Sequence, residues 1–503
     1  MPYPTIYPTG TTIYKPEKCF NGFTIYPANG MGAMLIDMNG REVNLWKDLE
    51  GMPNKILPGG YVMGARGLRN PKFMTKEYLD VCQIDWDGNI VWKFDHNEFI
   101  EDPGEEPRWM ARQKADYQRE GNPVGYYVPG MDPYTDHGNT LILCHRNIQK
   151  NAISRFPLID DAVIEVDWDG NIIWEWRCSD HFKEFGFSEA AKNVLARDPN
   201  LRTSGINGMG DWLHVNSMSA LGPNKWYDAG DERFHPDNII MDARQANMTW
   251  IVDKKSGDIV WKIGPDYEGD ERLKEIGQII GQHHAHMIPK GLPGEGNIMI
   301  FDNGGTAGYG LPNPMSPHGF ENCKRDYSRV IEFDPITFEM KWQYTPKEAG
   351  FIIPLNSSRF YSPFISSAQR LPNGNTLITE GGGGRLFEVT SDYEIVWEYI
   401  SPYYGNGVYR GMSKYNGTKF NAVYRAYRVP YEYCPQAGIP KEVPIEPVDN
   451  ADFRMPGAAP RGPLKVTIIE GTNDMDKVDS NNDFCLPTDE QKDEVMRLVE
   501  EDQ

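Results

Sequence analysis

Apolar and polar positions along this chain alternate in short runs, each broken by a turn and each closing on tryptophan. The pattern occurs as "LIDMNGREVNLW" (35–46), "CQIDWDGNIVW" (82–92), "IEVDWDGNIIW" (164–174), "WIVDKKSGDIVW" (250–261), "IEFDPITFEMKW" (331–342) and "FEVTSDYEIVW" (387–397). Asn-Gly, Asp-Gly and Ser-Gly at the centres favour hairpin turns, because these residues tolerate positive φ. The flanking alternation puts one face of each hairpin in a core. Trp46, Trp92, Trp174, Trp261, Trp342 and Trp397 are core positions on this reading and receive no functional role.

A second signature precedes most of the hairpins: "HGNTLILC" (137–144), "PDNIIMDA" (236–243), "GNIMIFDN" (296–303) and "NGNTLITE" (373–380). A turn feeding a β-rich strand, then a hairpin, makes a four-stranded blade once one further strand is added. Six such units fall within the roughly 4–8 blades that close a propeller. The sequence therefore predicts an all-β fold, a six-bladed β-propeller over residues 1–435. Extra residues between 96 and 136, 178 and 235, and 303 and 328 read as long loop insertions on one face, the binding face. Within the second, "SEAAKNVLARDPN" predicts a short helix with Ser188 as N-cap. Residues 436–503 read as a C-terminal extension with a strand in "GPLKVTIIEG" (462–471) and a terminal helix in "PTDEQKDEVMRLVEE" (487–501). A capping box of Thr488 and Gln491 starts that helix, which is expected to pack on the propeller or on a partner subunit of a homo-oligomer.

Composition narrows the function classes. The net charge is −21. Such a chain repels nucleic acid and anionic lipid, and an anionic substrate needs a locally positive pocket. Neither nucleic acid nor membrane is expected as a partner; a small aromatic molecule is. The 7 cysteines are dispersed with no CxxC pair, which reads as reduced thiols. The N-terminal "MPYPTIYPTGTTIYKPEKCFNGF" has neither the basic nor the apolar region of a Sec-type signal, so a cytoplasmic location is expected.

Two histidine-bearing segments hold candidate chemistry. "GDWLHVNSM" (210–218) contains Asp211, His214, Asn216 and Ser217, and "GQHHAHMIPKG" (281–291) contains His283, His284 and His286. Both directly precede a blade-type strand, so both can line one central channel. Strand alternation places His284 and His286 on one face and sends His283 to the other, outside the channel. His214, His284 and His286 could bind a transition metal, although HExxH and CxxC spacings are absent. The other reading is anion chemistry, with histidine as acid, base or nucleophile and arginine as the oxyanion clamp. Arg146, Arg359, Arg425 and Arg428 are the arginine candidates, and Tyr361, Tyr424 and Tyr427 could wall a ring-bearing substrate.

Together "GDWLHVNS", "QHHAH…GNIMIFDNGG", "RLPNGNTLITEGGGG" and "YRAYRVP" resemble the arylsulfate sulfotransferase family, as does the start "PTGTTIYKPEKCFNGFTIYPANGMGAMLIDMNGREVNLW". The likeness runs over about residues 8–430. It implies a six-bladed propeller that moves a sulfuryl group from a phenolic sulfate to a phenol without a nucleotide donor or other cofactor. It also implies that His214 and His284 are sulfate-pocket histidines and that Arg425 is the closing-motif arginine. The chain departs from the family in one place. The family's sulfated histidine lies in a later blade, where this sequence reads "YSPFISSAQRLPNG" (361–374), and its last histidine is His318.

The resemblance therefore makes His284 or His286 the nucleophile or base, Arg425 the stabiliser of charge on the sulfuryl oxygens, and His214 the residue that fixes the anion. Asn216, Arg146, Arg359, Tyr361 and Tyr424 complete the expected substrate contacts. The alternative is a hydrolase, lyase or isomerase of an aromatic compound, centred on the same histidines with or without a metal. A non-catalytic scaffold is the third class.

Overall fold

Each of the six tryptophan-ending runs folds as a hairpin. The structure, a computed structural model, describes residues 8–70, 76–201, 208–405 and 419–447. The hairpins pair Gly32–Ile36 with Glu42–Trp46, Tyr78–Ile84 with Ile90–Phe94, Leu158–Val166 with Ile172–Arg177, Met248–Val252 with Ile259–Ile263, Arg329–Phe333 with Met340–Tyr344, and Arg385–Val389 with Ile395–Ile400. The second signature supplies the adjoining strands Thr140–Ile148, Ile239–Ala243, Ile298–Asp302 and Thr376–Glu380. Inside these lie Gln113–Arg119, Val215–Ala220, His283–Met287 and Ser367–Arg370. All of these neighbours are antiparallel, in sheets of four, five and nine strands. The architecture is all-β and propeller-like.

The chain ends are woven into this arrangement. Gly10–Tyr14 pairs with Ile395–Ile400, and Tyr427–Val429 pairs with Phe23–Ala28, so strands from opposite ends of the chain share sheets. Ile445 also bridges to Tyr14. The chain divides into two units between Pro447 and Val448, not at 435, so residues 436–447 belong with the strands. The expected strand at 462–471 and helix at 487–501 lie outside the described residues.

The repeated tryptophans do more than fill the core. The indole N–H of Trp46 donates to the Asp85 carbonyl, Trp92 to Trp168, Trp174 to Lys254, Trp261 to Pro335, Trp342 to Ser391, and Trp397 to Met38. Each acceptor lies at the turn of the next hairpin in sequence, and the last returns to the first. One polar atom at the end of each apolar run thus ties one hairpin to its successor.

The insertions occupy both ends of the sheets. Because neighbouring strands are antiparallel, the connection entering an innermost strand and the one leaving it emerge at opposite ends. Residues 178–214 enter the strand Val215–Ala220, whereas 120–139 and 221–238 leave innermost strands. The expectation of a single insertion-bearing face is therefore corrected. In the entering segment, Glu189–Arg197 is the predicted helix, and the Ser188 side chain accepts from the Ala191 N–H at its start.

Candidate active site

The innermost strands begin with an irregularity that aims side chains inward. Ala115, His214 and His284 all have left-handed φ, at 61°, 55° and 56°. In each case pairing with the next strand slips at that point, between Gln113 and Tyr117, Val215 and Ser217, and His283 and His286. An extra residue of this kind is a β-bulge, which re-aims side chains. Simple alternation therefore fails across "HHAH". His283 does not pack outside; it is as buried as His284 and His286. Its Nδ1–H donates to Asn303 Oδ1 at 2.8 Å, and its Nε2 accepts from the Ile365 N–H at 3.2 Å.

Two charged groups on neighbouring strands organise the centre around one carboxylate. Asp116 accepts from Lys55 Nζ at 2.8 Å and from Arg425 at 2.7 Å. Arg425 also donates to the Asn216 carbonyl at 2.5 Å, which the Tyr424 hydroxyl reaches at 3.1 Å. All five residues are buried. Burial would push Asp116 up, but Lys55 and Arg425 hold it below the usual carboxylate range. Asp242, which accepts from Ser217 Oγ at 2.7 Å, is pushed up to about 7 by burial. Arg425 Nε and Asn216 Oδ1 make no hydrogen bond among the described residues.

His284 and His286 lie in the same layer with fixed tautomers. Nδ1–H of His284 donates to the Ala368 carbonyl at 3.0 Å, leaving Nε2 facing the Tyr427 hydroxyl at 3.5 Å. Nδ1–H of His286 donates to the His284 carbonyl at 2.9 Å, and its Nε2 accepts from the Tyr126 hydroxyl at 3.1 Å. Tyr126 arrives on a turn built by Asn122, whose Oδ1 accepts from the N–H groups of Val124 and Gly125. Burial, with Arg425 adding, drives both imidazoles below their ordinary pKa, His286 to about 4. Both are neutral bases at neutral pH.

His214 differs from them. Its side chain is 23% exposed, and Nδ1–H donates to Asp211 Oδ2 at 2.5 Å. Asp211 is buried and lies 3.5 Å from Lys114 Nζ, which bonds Asp161 at 3.0 Å. Burial, with Lys114 and Arg244 adding, lowers the His214 pKa against the pull of Asp211. His283 is near enough to feel the charge of His214, Arg244 and Arg425.

The remaining predicted residues fall elsewhere. Arg146 is tied to Glu175 and Asn97. Arg359 is exposed beside the Phe351 ring, and Arg428 is buried on Thr24 and Glu388. Tyr361 is half-buried, its N–H on Glu380. Arg146, Arg359 and Tyr361 thus stand apart from the Asp116 layer, because each is engaged by its own blade. His214, His284 and His286 do not converge on a metal position. Among the described residues, the group with three ligand atoms within 4.8 Å is His145, Asp161 and Asp211. The Lys114 ammonium already neutralises its two carboxylates.

Sequence reasoning missed Lys55, Lys114, Asp116 and Asp242. A signal for two of them existed. "QKADYQ" (113–118) stands before "HGNTLILC" as "HVNSMS" stands before "PDNIIMDA", so Lys114 and Asp116 occupy an innermost strand like His214.

No described helix is long and apolar enough to cross a membrane. No curated protein matches the chain. Similar solved structures include a protein of unknown function from Bacteroides caccae, 10% identical, covering 81% of this chain and 99% of that one with a TM-score of 0.39. Virginiamycin B lyase from Staphylococcus aureus is 12% identical, covering 79% and 86% with a TM-score of 0.31. The family model Arylsulfotransferase (ASST) matches residues 133–398, more than half of the sequence, and the chain belongs to that family.

Proposed function

We propose that the protein is a transferase that moves a sulfuryl group from an aryl sulfate to a phenol within a six-bladed propeller. The count of six rests on the six tryptophan-linked hairpins, and on the nine-stranded sheet, whose two halves meet at the single pair Gln113 and Tyr78.

The observation that carries the chemistry is the charge of the dry centre. Lys55 and Arg425 share one carboxylate, Asp116, while the Asp242 carboxyl is held neutral up to about 7. Two cations against one anion leave one positive charge unbalanced. In a water-poor site an unbalanced charge favours a partner of equal and opposite charge. A sulfate monoester carries one negative charge, whereas a phosphate monoester carries up to two near neutral pH. Arg425 retains an unfilled donor at Nε for a sulfuryl oxygen. Met52, Ile365, Ala422 and Tyr424, with half-buried Phe364 and Phe420 against them, offer an apolar wall for the aryl ring.

The test is turnover of p-nitrophenyl sulfate with phenol as acceptor, beside p-nitrophenyl phosphate under the same conditions. Release of p-nitrophenolate from the sulfate, stimulated by phenol and absent with the phosphate, is expected. Failure to turn over any aryl sulfate would refute the reading.

A further inference from the structure

We propose that the reacting nitrogen is His214 Nε2 and that Asp211, anchored by Lys114, is the residue that positions it. This inference rests on the sulfuryl-transfer reading and moves the nucleophile away from His284 and His286.

Three observations carry it. His284 and His286 are 3% and 1% exposed, and each presents its Nε2 to a tyrosine hydroxyl, so neither nitrogen is open to a substrate. His214 is partly exposed, and its Nε2 has no partner among the described residues. Its Nδ1–H is committed to a buried carboxylate, which fixes the tautomer with the lone pair on Nε2 and stabilises positive charge as it develops on the ring. Asp211 can hold that position while ionised because Lys114 lies beside it and the Asn200 side chain donates to its carbonyl. The anion layer is close in the chain as well. Arg425 binds the carbonyl of Asn216, two residues beyond His214.

The chemistry balances. The Nε2 lone pair forms an N–S bond as the S–O bond to the aryl group breaks. The electron pair leaves with the aryloxide, which takes a proton from water. In the second half the acceptor phenol oxygen forms the new S–O bond. The N–S pair returns to Nε2, and the phenol proton passes to water. Asp211 stays a carboxylate throughout.

The experiment mixes the full-length protein with p-nitrophenyl sulfate alone, quenches in alkali, and maps the added sulfuryl mass by peptide sequencing in a mass spectrometer. The expected result is a stoichiometric burst of p-nitrophenolate with the label on His214. The burst is lost in His214→Gln and partly restored in His214→Gly by added imidazole. Asp211→Asn should keep the label on His214 and lower kcat by roughly 10²-fold with little change in KM, which a merely structural role would not do. In His284→Gln and His286→Gln the label should still map to His214. A label on His284 or His286, or a burst that survives His214→Gln, would overturn the assignment while leaving sulfuryl transfer intact. Steady turnover with no labelled histidine would do the same. Absence of turnover with every aryl sulfate overturns the parent reading and this one with it.

Discussion

His214 and His284 share one backbone conformation in neighbouring sheets, with φ of 55° at the first and 56° at the second. Each sits where an innermost strand slips against its neighbour, and the slip separates the roles of residues that alternation would have grouped. Histidine is among the few non-glycine residues that adopt this region with any frequency.

That conformation sets the first prediction. In an ordinary strand glycine is less stable than alanine by roughly 0.5–1 kcal/mol. At position 284 the order should reverse, with His284→Gly more stable than His284→Ala by about 1 kcal/mol, because only alanine retains a Cβ to strain the left-handed backbone. Urea midpoints of the two variants measure the difference; equal midpoints, or the ordinary order, would count against it.

The shared carboxylate gives an asymmetric second prediction. Arg425→Met leaves Lys55 still paired with Asp116, whereas Asp116→Asn leaves two buried cations without a counter-charge. Breaking a buried pair costs roughly 3–5 kcal/mol. Asp116→Asn should reach that range and Arg425→Met should cost less, as read from chemical denaturation. The reverse order would show that Lys55 does not contribute to holding Asp116.

Two central groups should give opposite pH slopes. His286 titrates at about 4 in the folded chain and near 6.5 when unfolded, so between those values the unfolded state holds the extra proton. Its contribution to stability is then present above 6.5 and lost as pH falls towards 4, by about 1.4 kcal/mol per pH unit. Asp242 titrates at about 7 when folded and near 3.8 when unfolded, so its contribution is lost as pH rises from 3.8 to 7. Subtracting the pH–stability curve of His286→Gln from wild type should leave a rising difference, and subtracting that of Asp242→Asn a falling one. A flat difference in either case removes that group from the balance.

The tryptophan hydrogen bonds should differ in worth with burial. Trp397 is fully buried and donates to Met38 at 2.8 Å, whereas Trp342 is half-buried and donates to Ser391 at 3.2 Å. Trp397→Phe strands a buried carbonyl and should cost about 1–3 kcal/mol. Trp342→Phe, where water can replace the donor, should cost less than about 1 kcal/mol. Comparable losses in thermal unfolding would mean that the bonds themselves contribute little.

The sequence made the hairpins, their turns and the Ser188 cap legible, because each depends on local periodicity and local turn chemistry. It also placed His214, His284, Arg425, Asn216 and Tyr424 near one another through the resemblance. It misassigned His283 because a period-2 rule has no term for a bulge. Lys55, Asp116 and Asp242 escaped notice because a lone buried charge has no local signature. Its partners lie far off in sequence, as Arg425 lies from Asp116. Arg146 and Arg359 were drawn in as unassigned cations, and their engagement by Glu175 and the Phe351 side chain is equally non-local.

The circuit of indole bonds has a consequence for how the molecule can come apart. A linear stack of repeats has two outermost members that each lack a neighbour, and loss of order can begin there and travel inward. Here Trp397 hands back to Met38, while Gly10–Tyr14 and Tyr427–Val429 splice the two chain ends into the same seam. No repeat is outermost, so melting must open the seam or breach two contacts at once, and the seam is where mechanical pulling on the ends would strike first.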